Sequence, residues 1–187
     1  HMSYIDGTGT VVWEIDTAIV DPILKVDGNY ILIAEKGRNK ICLYIDNKLQ
    51  YDVDDPDTVM SAELSSNGDV VVVTDKSSYR GGISVYNKSG EQIFSWASGS
   101  DAVICADISA ASRRVAVALL NSDVTAKTTV QLFNVNETES YAKIEMPDTV
   151  VYELQFVGDK VNAFGDNRVT GISSSGKIVY DNDFSNV

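Results

Sequence analysis

Apart from His1, this sequence contains no histidine. His1-Met2 reads as a cloning remnant ahead of the natural sequence. The remaining residues therefore cannot build a Ser-His-Asp or Cys-His nucleophile site, or a His-ligated zinc site. Cysteine is scarce too. Cys42 and Cys105 each sit inside an apolar run, KICLYI and VICADI, where cysteine acts as a small hydrophobe, and their spacing is not that of a metal site. No apolar run is long enough to form a membrane-spanning helix. Basic residues number 15 against 27 acidic ones, a net charge of −12. Such a chain repels a phosphate backbone, which argues against nucleic acid as a partner. It also has no reason to approach an anionic membrane surface by itself.

What the sequence has in quantity is Val, Ile, Tyr and Thr, a composition that favours strands. These residues come in a repeat. In GGISVYNKSGEQIFSW, residues 81–96, a polar turn ending at Gly90 is followed four residues later by Phe94. The same offset joins Gly9 to Trp13 and Gly176 to Tyr180. With Asn, which also tolerates positive φ, in the place of Gly, it joins Asn47 to Tyr51. NVNETESYAKI is a looser copy with one extra residue, around Asn136 and Tyr141. The strand before each turn recurs as ICLYI, ISVYN, VQLFN and VTGIS, which places Tyr44, Tyr86, Phe133 and Ile172 in equivalent positions at nearly regular intervals. Tyr4 in SYIDGTG is read as a trace of the same position.

Upstream of each such hairpin lies another: PILKVDGNYILIAEK, SAELSSNGDVVVVTDK, CADISAASRRVAVALL and ELQFVGDKVNAFGD. Their turns carry hairpin chemistry, and the second strand of each is almost continuously apolar, as a strand covered on both faces must be. Each unit is thus four antiparallel strands in roughly 40–47 residues, the length of a β-propeller blade. A β-sandwich also has many short strands, but it need not repeat its motifs at a fixed period. The expected fold is an all-β propeller with blades at about 19–58, 59–102, 103–149 and 150–187, preceded by a lone third-and-fourth-strand hairpin at 3–16. Four blades and a spare hairpin do not close a ring simply, so the chain is expected to be a fragment of a larger propeller. The open end faces predict self-association, either as an eight-bladed ring of two copies or end to end.

This pattern resembles the large superfamily of WD40-like and quinoprotein-like propellers, without the Gly-His and Trp-Asp dipeptides of true WD40 repeats. The segments VVWEI, SSNGDVVVVTD, VYNKSGE and AFGDNRV resemble an uncharacterised family of membrane-anchored propeller proteins of clostridia-type bacteria. In that family a short cytoplasmic tail and one transmembrane helix precede an extracellular propeller. The resemblance implies a cell-surface module anchored through its parent protein.

Several residues are of types that build sites. Asp52, Asp54, Asp55 and Asp57 in DVDDPDTV suggest hard-ion ligands, but their spacing is not that of an EF-hand, and an exposed acidic loop is the simpler reading. Asp181 and Asp183 are read the same way. Arg113-Arg114 is expected to decorate a turn, and Trp13, Trp96 and Tyr86 to pack between blades. A residue that recurs in every blade is structural, so a site should break the repeat. Two stretches do: LLNSDVTAKTT, residues 119–129, and DKSSYRGG, residues 75–82, where Tyr79 and Arg80 are candidates for a partner-binding rim. No catalytic, cofactor-binding or metal-binding residue is assigned. The expected function is non-catalytic binding of a protein or cell-envelope ligand. Two alternatives stand beside it: an enzyme of quinoprotein-like or glycan-cleaving type whose site lies in further blades, and the ectodomain of an envelope sensor.

Overall fold

The computed structural model describes residues 1–16, 18–111, 113–123 and 125–184. Among them there is no helix; eighteen strands form five antiparallel sheets. A two-stranded sheet, β1 (Met2–Ile5) and β2 (Val11–Ile15), comes first. Four four-stranded sheets follow, each in chain order from inner to outer strand. They are β3–β6 (Pro22–Asp27, Tyr30–Glu35, Lys40–Ile45, Lys48–Asp54) and β7–β10 (Thr58–Leu64, Val70–Asp75, Gly82–Tyr86, Gln92–Ala97). Then come β11–β14 (Ala102–Ser109, Arg114–Asn121, Lys127–Asn134, Ala142–Pro147) and β15–β18 (Val151–Val157, Lys160–Gly165, Arg168–Ile172, Ile178–Asp183). This is a run of propeller blades.

The patterning explains the stacking. Leu32–Ala34, Val70–Val73 and Val115–Leu119 are buried residue after residue, because each second strand has a blade on both sides. Alternate residues therefore enter different apolar layers. Val70 and Val72 join Leu32, Leu43 and Tyr51 of the first blade, while Val71 and Val73 join Phe133, Val115 and Val117 of the third. A further layer lies between the third and fourth blades, and β1–β2 covers Ile31, Ile33 and Cys42 on the remaining face of the first.

The glycine-to-aromatic spacing has a direct cause. In the turn after β9, the Gly90 N–H donates to Asn87 O and the Asn87 N–H to Glu91 O, while the Asn87 side chain accepts the N–H groups of Ser89 and Glu91. Gly90 has a positive φ, and a side chain there would meet the Tyr51 ring of the neighbouring blade at 2.9 Å. Such a three-residue hairpin loop ends in a bulge. Tyr86 then opposes Gln92 and Val85 opposes Phe94, so Ile93 is skipped. The skip places the aromatic on the face turned to the next blade. Val12, Gln50 and Val179 are skipped in the same way.

This register corrects two assignments. Because Tyr4 opposes Trp13 and Ile5 opposes Val11, it is Ile5, not Tyr4, that holds the position of Tyr44 and Tyr86. In the third blade the longer turn removes the bulge. Tyr141 falls outside β14, beneath the Arg114 guanidinium at 5.5 Å, and Ala142, opposite Leu132, takes the position of the aromatic. The stretch 119–129 also differs from the expected long connection. β12 and β13 pair as far as Asn121 and Lys127, because their alternating apolar residues stay inside the blade, and the connection shrinks to 122–126, of which Val124 lies outside the described residues.

Candidate functional site

All inner strands run in one direction, so the turns leaving them gather at one rim. Each inner strand brings one residue to the same height there. Lys25 opposes Leu32, Glu63 opposes Val71, Asp107 opposes Ala116 and Gln155 opposes Asn162. With Glu153 they line a cavity of about 570 Å³ where the four inner strands converge. Asp27 adds a fourth carboxylate to the lining against the one ammonium of Lys25.

Within this mouth the Lys25 Nζ donates to Glu63 Oε1 at 2.6 Å. Asp107 Oδ2 accepts the Phe156 N–H at 2.6 Å, tying the third blade to the fourth. Burial pushes the Asp107 carboxyl up to about 6; Glu63 adds to the rise, and the N–H groups of Phe156 and Ile108 and the Lys25 charge oppose it. The mouth is negatively charged: its carboxylates outnumber its ammonium, and Asp107 among them is half-buried.

The residues singled out from the sequence lie elsewhere. Tyr79, 51% exposed, and Arg80 sit on the β8–β9 connection, at the rim opposite the cavity. The connection is well anchored, since the Arg80 N–H donates to Ser98 O and Arg80 O accepts the Val103 N–H. Asp52 and Asp54 both pair with Lys40, and Asp57 pairs with Lys76 at 3.0 Å. Asp55 departs from the exposed-loop reading. It is 1% exposed, accepts the Tyr86 hydroxyl at 2.7 Å and caps the Asp57 N–H at 2.8 Å. No local signal marks it, because its partner lies 31 residues further on. Among the described residues no group of three or more His, Cys, Asp or Glu side chains is arranged to hold a metal ion. Asp181 and Asp183 clamp Arg168 at 3.2 and 3.3 Å.

Arg113 Nε lies 4.0 Å from Asp69, and Arg114 reaches the Ser174 carbonyl of the last blade at 3.4 Å. Trp13 packs edge-on against Tyr44 at 5.2 Å, and Trp96 against Phe133 at 5.1 Å, so both fill the layers between blades. Cys42 and Cys105 are free thiols in different blades, pushed up by burial to about 11 and about 12. They are inert at neutral pH. The inner-strand polar residues were missed in the sequence because each lies in its own apolar run, a whole blade from the next, and only the shared register brings them together.

The fold and this axial mouth define the chain as β-propeller blades. Within that class, it belongs to the DUF5711 family, a family of unknown function whose model matches residues 1–185. No curated protein matches the sequence. Among solved structures it is similar to BamB from Moraxella catarrhalis, at 12% identity and a TM-score of 0.58, over 92% of this chain and 56% of that one. It is similar to a europium-containing methanol dehydrogenase, at 9% and 0.63, over 94% and 45%. Kluyveromyces lactis Hsv2 matches at 11% and 0.66, over 97% and 67%. The chain thus spans about half the length of the first two, and identities this low show a shared fold and nothing of function.

Proposed function

We propose that this chain is a non-catalytic binding module of a bacterial cell-surface protein, and that it takes a basic side chain of a protein partner at its axial mouth. The observation that carries the reading is the cavity itself, which four blades build together and which holds four carboxylates against Lys25. A lysine or arginine entering it replaces water around Glu63 and Asp107, where the low local dielectric strengthens the attraction. The net charge of −12 steers a basic partner toward the same surface. Placement outside the cell rests on the resemblance to membrane-anchored propellers. Tyr79 and Arg80, on the opposite rim, are proposed as a second contact of the same module.

Calorimetric titration with a short oligolysine peptide tests the mouth. Binding is expected to weaken as salt rises, to weaken as pH falls through about 6 where Asp107 takes up a proton, and to drop at least tenfold in a Glu63→Gln/Glu153→Gln variant. Binding unchanged by that pair of substitutions, or none at low salt, overturns the reading. Tyr79→Ala/Arg80→Ala without effect on an identified partner removes those two residues from it.

A further inference from the structure

Two departures from the repeat meet at the joint between the second and third blades. The first is Gln131. On the third strand of each blade, Cys42, Ser84, Gln131 and Thr170 hold one equivalent position, opposite Ile33, Val72, Val117 and Ala163 of the second strand. Cys42, Ser84 and Thr170 are buried there. The two hydroxyls bond within their own sheets: Ser84 accepts Gln92 Nε2 at 2.9 Å, and Thr170 donates to Asp181 Oδ1 at 2.7 Å. Gln131 is only half-buried, and among the described residues its side-chain amide has no hydrogen-bond partner. The second departure is Trp96. It opposes Ile83, in a position that the other outer strands give to Ile15, Val53, Ile144 or Asn182. Its indole packs against Phe133 yet stays half-buried.

Both residues line a cavity of about 450 Å³, together with Leu119 and with Lys143, which opposes Gln131 on β14. This is within the size range of small-ligand sites. The longer turn of the third blade, held by the Asn134 side chain donating to Glu137 Oε2 at 3.1 Å, adds Glu139 and Ser140 to the wall. Among the described residues Glu139 and Lys143 form no ion pair. The two blades are the middle ones of the four, each packed on both faces, so the cavity belongs to a complete joint. We infer that it binds a pyranose ring with equatorial hydroxyls, as in glucose. In such a ring the axial C–H bonds form an apolar face that an indole matches, with Leu119 beside it. The hydroxyls around the ring edge both donate and accept, and the Gln131 amide offers donors and an acceptor in one plane to two neighbouring hydroxyls. Glu139 accepts and Lys143 donates, and their charges offset each other, so a neutral polyhydroxylated ligand suits the cavity better than an ion. The site is separate from the axial mouth and does not depend on it.

Glucose and cellotetraose serve as probes, titrated into the whole chain and followed by proton–nitrogen NMR of the Trp96 indole N–H and the Gln131 side-chain amide. Saturable shifts of both signals are expected, with the Trp13 indole unmoved. Gln131→Leu removes an amide that bonds nothing in the free protein, so the thermal melt should hold. Binding should weaken about tenfold, the loss of one hydrogen bond to a sugar hydroxyl. Lys143→Ala, at an exposed position, should weaken it in the same direction, and Glu63→Gln/Glu153→Gln should leave it intact. Cellotetraose binding more tightly than glucose supports the proposal with a glycan chain as the source of the ring; equal binding supports it with a free sugar. No shift at Trp96 with either probe, or binding indifferent to Gln131→Leu, overturns the proposal. So does phenylalanine binding at least as tightly as glucose, which gives the cavity to a zwitterionic amino acid.

Discussion

Tyr86→Phe probes the inter-blade polar contact that the sequence concealed. The Tyr86 hydroxyl donates to Asp55 Oδ2 at 2.7 Å, and Asp55 is 1% exposed. Removing the hydroxyl leaves a buried carboxylate with the Asp57 N–H but without its side-chain donor. A hydrogen bond to a charged group contributes about 1.5–3 kcal/mol. For a chain of this length that corresponds to a fall in Tm of roughly 3–12 °C. Tyr51→Phe is the internal control, because the Tyr51 hydroxyl is buried in the same layer without a hydrogen-bond partner. Its removal strands nothing and should change stability by less than about 0.5 kcal/mol or raise it. Both variants are compared by urea unfolding at pH 7. Alkali adds a second readout. Burial first, then the bond to Asp55, hold the Tyr86 phenol well above its ordinary range. With the folded value raised, the stabilisation is complete below the unfolded pKa of about 10 and is lost as pH rises beyond it. Tyr86→Phe should flatten that alkaline loss. Equal effects of the two substitutions refute the reasoning. So does a loss for Tyr86→Phe well below the range of a hydrogen bond to a charged group.

Phe133→Ala empties the layer between the second and third blades, where the ring is fully buried against Phe94 and Trp96. A loss of about 3–5 kcal/mol is expected by urea unfolding, with a red shift of Trp96 fluorescence as its packing partner disappears. Asp107→Asn keeps an acceptor for the Phe156 N–H and removes a charge from a site that disfavours it. The folded pKa of Asp107, about 6, lies above the unfolded one, so its contribution to stability is present at pH below about 4 and lost as pH rises through 6. The asparagine variant should therefore gain in Tm at pH 8 and not at pH 4; a gain at pH 4 equal to that at pH 8 refutes the assignment.

The blade pattern was legible because it is a local property. Glycine or asparagine at the turn, the bulge after it and the aromatic four residues on are fixed by hairpin geometry, and the apolar second strands by cover on both faces. The register was less legible. A bulge shifts pairing by one residue without changing composition, so Tyr4 resembles Tyr44 in the sequence while Ile5 takes its place in space. An extra turn residue had the same effect at Tyr141, whose expected place is taken by Ala142.

The sequence alone therefore determined the class of fold, the packing role of Trp13, Trp96 and Tyr86, and the acidity that disfavours a nucleic-acid partner. Only the tertiary structure decided that Lys25, Glu63, Asp107 and Glu153 share one cavity, that Asp55 is buried beneath Tyr86, and that Leu24 and Val26 are exposed. The physical reason is common to all three. Repetition writes each blade's own contacts into neighbouring residues, whereas the axis and the joints arise between residues of different blades, where stacking of whole sheets sets the distances and the exposure of each face.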